Sequence, residues 1–353
     1  PENPITLVGS PYEFSPCPRR EVLIPALDSA RPVVLRNRCE ITRASSLAIL
    51  IDTFMWIRIC TLVLSTLNLC VADDPIPGVG PTGPVKQVQT GFEFTEGPAS
   101  DSAGNLYFTD IPKNRIHLLD TQGNVSVFIE PSGHCNGLML VGDRLLACEM
   151  DGRLKQFKIS DKSESVLADQ FDGKRFNAPN DLVIDRQGGI YFTDPRFRAP
   201  DPWPQGKEAV YYRAADGKVS RLIEDRKAPN GIILSPDEKT LYVIPSMEKE
   251  MWAYEVTEPG KLGAGRVLCE LRQKAGESSG GDGLTIDTNG NLYITSSLGI
   301  QVVAADGKIL GVISFPEQPA NVTFGGPERK TLFVTARKSV YSVPMEATGH
   351  VFT

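Results

Sequence analysis

The chain has 353 residues, and 37 Lys and Arg against 43 Asp and Glu leave a net charge of −6. That balance argues against nucleic acid or an anionic membrane as partner, since both attract basic surfaces. With 41% hydrophobic and 23% charged residues the composition excludes disordered, fibrous and polytopic classes. Glycine (32) and proline (27) are scattered without a period, which predicts many short elements joined by turns, the all-β pattern.

Residues 1–54 are rich in Pro and Arg and lack sustained apolar periodicity, and the sequence opens on Pro1. Met55-Trp56-Ile57-Arg58 then introduces an uncharged run over 59–72 that closes on Val71-Ala72 before Asp73-Asp74. A charged start, a short apolar stretch and a small final residue have the shape of a secretory signal peptide. The run is too short for a comfortable membrane span of about 20 residues. The expectation is a signal peptide over 55–72, cleavage after Ala72 and a secreted or periplasmic product free of the membrane; a retained N-terminal anchor is the alternative. Met55 would be the true start, and residues 1–54 an upstream segment, unstructured or untranslated. Residues 73–84 read as a flexible Pro/Gly linker.

From residue 96 onward one unit recurs: an acidic or amide residue, a short apolar alternation, a turn with Asp or Gly, and a β-rich run. It begins at Glu96, Asn136, Asn180, Asn230, Asp282 and Asn321, spaced by 39 to 52 residues and by 45 on average. That is the length of one four-stranded propeller blade. Within the third unit, Leu182-Val183-Ile184, Ile190 to Thr193, Val210 to Arg213 and Val219 to Ile223 read as its four strands. Residues 85–349 are therefore expected to form a single six-bladed β-propeller with four-stranded antiparallel blades, and residues 85–95 are available to close the ring against the last blade, sparing it an open edge.

The repeats also locate a site. First strands of propeller blades line the central channel, so the six repeat-leading residues converge on one axis. All six carry a side-chain oxygen, and Glu96 and Asp282 carry charge. Such a ring is costly to bury unless a cation sits inside it. A hard divalent ion answers that cost: Ca²⁺, with Mg²⁺, Mn²⁺ and Zn²⁺ as alternatives. The competing reading is that Asn and Asp merely start strands as turn residues, which does not account for Glu96.

Taken in order at blade spacing, Glu96-Gly97-Pro98, the run from Gly173 to Asp181 (GKRFNAPND), Tyr191-Phe192-Thr193-Asp194-Pro195, Ala228-Pro229-Asn230-Gly231 and Gly281-Asp282-Gly283 resemble the gluconolactonase, senescence marker protein (regucalcin) and luciferin-regenerating enzyme family, its bacterial gluconolactonase branch above all. The resemblance covers roughly residues 88–345. It implies one catalytic divalent metal on the axis, with ligands at Glu96, Asn230 and Asp282 and with Asn180 as a fourth ligand or a substrate contact. It implies hydrolysis of a sugar lactone: the metal polarises the carbonyl, and Asp282 takes the proton of the attacking water. Arg175 and Asn177, in a loop expected to overhang the mouth, would bind sugar hydroxyls, and the repeats, going further than the resemblance, place Asn136 and Asn321 near the pocket without a metal contact, Asn136 as a substrate contact. After Pro195 the branch's usual aromatic and glycine give way to Arg196-Phe197-Arg198 and a Pro-rich loop with Trp203, so the mouth departs from the pattern.

The alternatives are a phosphotriester hydrolase using the same axial metal, and a non-catalytic secreted propeller with a structural ion. Gly276-Glu277-Ser278-Ser279-Gly280 matches a nucleophile elbow on paper, but it needs a preceding strand and a following helix, and it lies in a polar loop. His134, just before Asn136, is a candidate helper for proton transfer at the mouth. Cys135 and Cys148 flank an expected hairpin, as either a cross-strand disulfide or two buried thiols. The oligomeric state is not legible.

Overall fold

The computed structural model describes residues 75–353, so the expected upstream segment and signal peptide, 1–54 and 55–72, lie outside the described residues. Strand β1 (Lys86–Thr90) comes first. Blade 1 follows as β2 (Thr95–Ser100), β3 (Leu106–Asp110), β4 (Arg115–Leu119) and β5 (Val125–Ile129), and blade 2 as β6 (Cys135–Val141), β7 (Arg144–Glu149), β8 (Arg153–Lys158) and β9 (Glu164–Ala168). A two-stranded hairpin, β10 (Gln170–Phe171) and β11 (Lys174–Arg175), leads into blade 3: β12 (Leu182–Ile184), β13 (Ile190–Asp194), β14 (Ala209–Arg213) and β15 (Val219–Ile223). Blade 4 holds β16 (Pro229–Leu234), β17 (Thr240–Pro245), β18 (Glu250–Glu258) and β19 (Lys261–Glu270). Blade 5 holds β20 (Leu284–Ile286), β21 (Leu292–Ser296), β22 (Gly299–Val303) and β23 (Ile309–Ile313). Blade 6 is β24 (Asn321–Gly325), β25 (Thr331–Ala336) and β26 (Ser339–Pro344), completed on its outer edge by β1.

Six four-stranded antiparallel sheets in sequence order make the six-bladed propeller, and the described residues contain no helix. Closure follows the expectation: β1 pairs antiparallel with β26, Lys86 opposite Ser342 and Thr90 opposite Ser339. The N-terminal strand thus covers an edge that would otherwise present unpaired backbone groups.

Second strands explain the recurrent Tyr-Phe-Thr-Asp motif. β3 and β13 are buried along their whole length, because each blade face packs against a neighbouring blade and both side-chain directions meet protein. Tyr191, Tyr211, Phe192 and Phe176 are among the largest fully buried side chains, and each contributes about 2–3 kcal/mol by leaving water. Truncating Phe192, which Phe176 meets edge-on at 5.1 Å, would cost about 3–5 kcal/mol.

Two expectations are corrected. The part of the 73–84 linker that is described is not a flexible spacer: Ile76 and Val79 are buried in the blade 5 and 6 core, Thr82 N donates to Pro344 O at 2.9 Å, and Val79 O accepts from Glu346 N and Ala347 N. The disulfide alternative also fails, because Cys135 and Cys148 are free thiols. Glu149 stands opposite Cys135, so Cys148, one residue out of register, points to the other sheet face. Cys135 packs with Leu145 and Ala147, Cys148 with Leu146 and Leu154.

Candidate functional site

The six repeat-leading residues all sit at the starts of inner strands: Glu96 and Asn136 in β2 and β6, Asn230 in β16, Asn321 first in β24, Asn180 and Asp282 two residues ahead of β12 and β20. Inner strands are stitched blade to blade around the axis, with Gly137 N donating to Asn180 O (2.7 Å), Gly231 N to Asp282 O (3.0 Å) and Gly283 N to Ala320 O (2.8 Å). So close an approach needs glycine after the leading residue. A Cβ on Gly97 would lie 1.9 Å from Asn136 O, and one on Gly283 2.1 Å from Asn321 Cγ.

Blades 3 and 6 break this rule, since the position held by glycine in the other four blades is Asp181 and Val322, and of these Asp181 is charged. Its carboxyl occupies space that those glycines leave open, and a Cβ on Gly137 would come within 2.5 Å of Asp181 Oδ1. Asp181 was not singled out from the sequence, although the glycine at the equivalent position of neighbouring repeats was a usable signal.

Three acidic side chains are therefore within electrostatic reach of one another near the axis. Burial, with the charges of Asp282 and Asp181 added, pushes the Glu96 carboxyl well above its usual range, only partly opposed by the Gly97 N–H and the Asn321 amide. Gly97 N donates to Glu96 Oε2 at 2.8 Å. Burial also raises Asp181 to about 7, against hydrogen bonds from Leu182 and Asn321 and with the Asp282 charge adding to it. Asp282, less deeply buried than the other two, rises to about 6 through burial, opposed by the Asn230 amide and the Arg337 charge; Asn230 Nδ2 donates to Asp282 Oδ1 at 2.6 Å. Among the described residues no lysine or arginine forms an ion pair with any of the three.

This donor set fits a hard cation. Asn136 Oδ1 is buried with no hydrogen-bond partner, an acceptor left without a donor where the channel opens. Among the described residues no three His, Cys, Asp or Glu side chains gather as a ready-made metal site, so an ion there needs amide oxygens beside its carboxylates. Asn180, Asn230 and Asn136 supply amides. Asn321 is engaged instead with Glu96 and Asp181 and with its own strand, its Oδ1 accepting from Val322 N.

Inside the ring the axial cavity holds only about 80 Å³, between residues such as Gly97, Asp181, Leu284 and Asn321 and the C-terminal segment His350–Phe352. Two or three waters fit, and a sugar does not. A substrate must sit above the ring, at the mouth, whose rim is apolar: Phe94, Ile111, Met150 and Ala178 cluster there.

Asn177 is not brought to that mouth. It is fully buried, its Nδ2 donates to Lys207 O (2.8 Å) and Asp194 O (3.3 Å), and its Oδ1 accepts from Gln205 N (3.1 Å). The amide is saturated, so the expected sugar contact is corrected to a clamp that ties the loop before Asn180 to the 195–208 excursion. Arg175 is exposed, donating to Phe176 O and Asn177 O and lying over Gly152. The repeated strand-end aspartates are positioning groups: Asp110 accepts from Glu93 N and Phe94 N ahead of Glu96, and Asp194 from Asn177 N and Ala178 N ahead of Asn180. His134 pairs with Asp151 at 3.0 Å. Residues 276–280 lie in irregular chain with no helix after them, which removes the nucleophile elbow.

Residues 94–338 match the family described as SMP-30/Gluconolactonase/LRE-like region. The gluconolactonase of Zymomonas mobilis is 31% identical over 293 residues, 75% of this chain and 82% of that protein. A solved gluconolactonase from Xanthomonas campestris superposes with a TM-score of 0.67 at 28% identity, over 74% of this chain and 89% of that one. Regucalcin of Agrobacterium tumefaciens, a calcium-binding protein, shares the fold at 22% identity with a TM-score of 0.64, over 75% and 95% of the two chains. This chain belongs to the SMP-30/gluconolactonase/LRE-like family.

Proposed function

We propose that the protein is a lactone hydrolase that opens a sugar lactone at the mouth of the axial channel, with one divalent cation held by Glu96, Asn180, Asn230 and Asp282. The observation that carries this reading is the electrostatic crowding of Glu96, Asp181 and Asp282 near one axis with no ion pair to any of them among the described residues, beside an unpartnered Asn136 oxygen, in a chain of a family whose relatives include gluconolactonases. Oxygen-only donors with several neutral amides favour Ca²⁺. Bound there, the ion would supply a Lewis acid for the carbonyl and for the oxyanion that follows.

The chain's own groups do the rest. Asp282 is the base that takes a proton from the attacking water: it alone of the three acids is not fully buried, and a carboxylate within reach of the water is the group the step needs. Asn230 orients it through the 2.6 Å hydrogen bond. Asn136 Oδ1 accepts from a sugar hydroxyl, Arg175 donates to another from the edge of blade 3, and the apolar rim excludes bulk water. Glu96 and Asn180 act as ligands, and Asp181, linked to Glu96 through Asn321, holds the negative charge beneath the ion.

Hydrolysis of an aldonolactone panel with and without chelator, beside metal analysis of the purified protein, tests this. Activity should vanish with chelator and return with Ca²⁺, and Asp282→Asn should lower kcat about 10²–10³-fold. Full activity in that variant removes the base assignment. Preference for a phosphotriester, or no turnover of either class with the ion bound, points instead to the other two readings. Export after Ala72 is a separate proposal, tested by N-terminal sequencing of the mature protein.

A further inference from the structure

The rim carries a cation that the lactonase reading does not use. Arg337 occupies the β25–β26 turn at φ +50°, a conformation most residues adopt only when their surroundings impose it. Here its carbonyl accepts from both Thr95 N (2.7 Å) and Thr95 Oγ1 (3.3 Å), which seats it beside Glu96. Its guanidinium lies over the Phe94 ring at 5.5 Å, and one Nη2 donor goes to Gln318 Oε1 at 2.7 Å.

Among the described residues Arg337 has no ion pair, and the nearby acids are committed elsewhere. Glu317 accepts from Lys338 N and from the Ser339 and Tyr341 hydroxyls, Glu93 pairs with Lys113, and Asp110 holds the Glu93 and Phe94 amides. A guanidinium stacked on Phe94 at the Thr95–Glu96 end of β2, with most of its planar donors unassigned, is a ready receptor for an oxyanion.

We propose that the lactone carries an anionic group remote from its carbonyl, a carboxylate, phosphate or sulfonate, and that Arg337 binds that group at the rim. This rests on the lactonase reading and adds the substrate's charge to it. The anion sits on the outer side of the rim, away from Glu96 and Asp181, with the Phe94 face beneath the guanidinium.

The test compares kcat/KM for glucono-1,5-lactone and for its 6-phosphate, in the Ca²⁺-loaded enzyme and in Arg337→Gln, Arg337→Lys and Arg175→Gln, with Kd for the products gluconate and 6-phosphogluconate by calorimetry. The wild type should favour the charged lactone at least tenfold, less so as salt approaches about 0.5 M. Arg337→Gln should lose about ten- to a hundredfold more on the charged lactone than on the neutral one, with the same asymmetry in product affinity, and Arg337→Lys should recover part. Equal losses on both lactones, a wild-type preference for the neutral one, or loss of the charge preference in Arg175→Gln alone would overturn the proposal. No turnover of either lactone sinks the lactonase reading instead, and the product affinities then still decide whether Arg337 selects an anion.

Discussion

The two ends of the inner strands carry buried carboxylates of the same kind in opposite states. At the far end Asp287, fully buried, accepts from Asn289 N and Asn291 N at 2.9 Å, from Asn291 Nδ2 at 2.8 Å and from the Tyr293 hydroxyl at 3.0 Å. Asp185 does likewise with Gln187 N, Gly189 N and the Tyr212 hydroxyl. These acids are saturated, and they hold the turns that return the inner strands of blades 3 and 5. At the mouth, Glu96, Asp181 and Asp282 share fewer donors and one another's repulsion. Such a cluster is tolerated by taking up protons, the direction in which burial pushes all three, or by a bound cation such as the one proposed. One end of the channel is thus built for stability and the other holds binding capacity in reserve.

Substitutions break that contrast most directly at Asp287. Asp287→Ala leaves four donors without an acceptor in a closed site and should cost about 3 kcal/mol or more, read as a lower urea midpoint with an unchanged slope. Glu96→Gln should go the other way. Removing a carboxyl whose charged form the metal-free fold resists raises metal-free stability toward high pH, while the Ca²⁺-dependent rise in Tm disappears. In the wild type that rise corresponds to about 2.7 kcal/mol at 100 times Kd. A Glu96→Gln protein that Ca²⁺ still stabilises as strongly as wild type would show that Glu96 is not a ligand.

Asp181→Asn should weaken Ca²⁺ about tenfold without abolishing binding, since the group acts from beneath the ligands; titration calorimetry reads this directly. The smallest effect belongs to His117, buried between Phe92 and Phe108 with neither ring nitrogen well bonded. Burial holds its pKa below the ordinary 6.5, so the unfolded chain takes up the proton first. The stability is present above pH 6.5 and is lost as pH falls through the lower folded value. His117→Phe should flatten the melting curve's pH dependence over that window and add about 1 kcal/mol at pH 5.

Much of the architecture was legible because a propeller repeats one local problem six times. The blade period marked the leading residue of every inner strand, and the apolar run from Ile190 marked a second strand, which the structure buries on both faces. Asn177 was not legible: its amide is consumed by Gln205 and Lys207, nearly 30 residues further along a loop that follows no period. Asp181 was half-legible, hidden behind the Asn180 it follows yet marked by the glycines at its equivalent positions. Ile76 and Val79 were apolar clues in a stretch whose Pro/Gly content suggested a spacer, and they bury because the last blades offer them a cleft.

The sequence alone determined the number of blades, the strands that face the axis and the oxygen character of the ring, because hydrophobic period and turn chemistry are local and repeated six times. Tertiary structure decided which of those oxygens remain unsatisfied, which loop residues are saturated before any ligand arrives, and where Arg337, which forms no ion pair among the described residues, stands against the mouth. Those outcomes depend on side chains brought together from distant blades, and no spacing within one repeat encodes which partner reaches a given atom first.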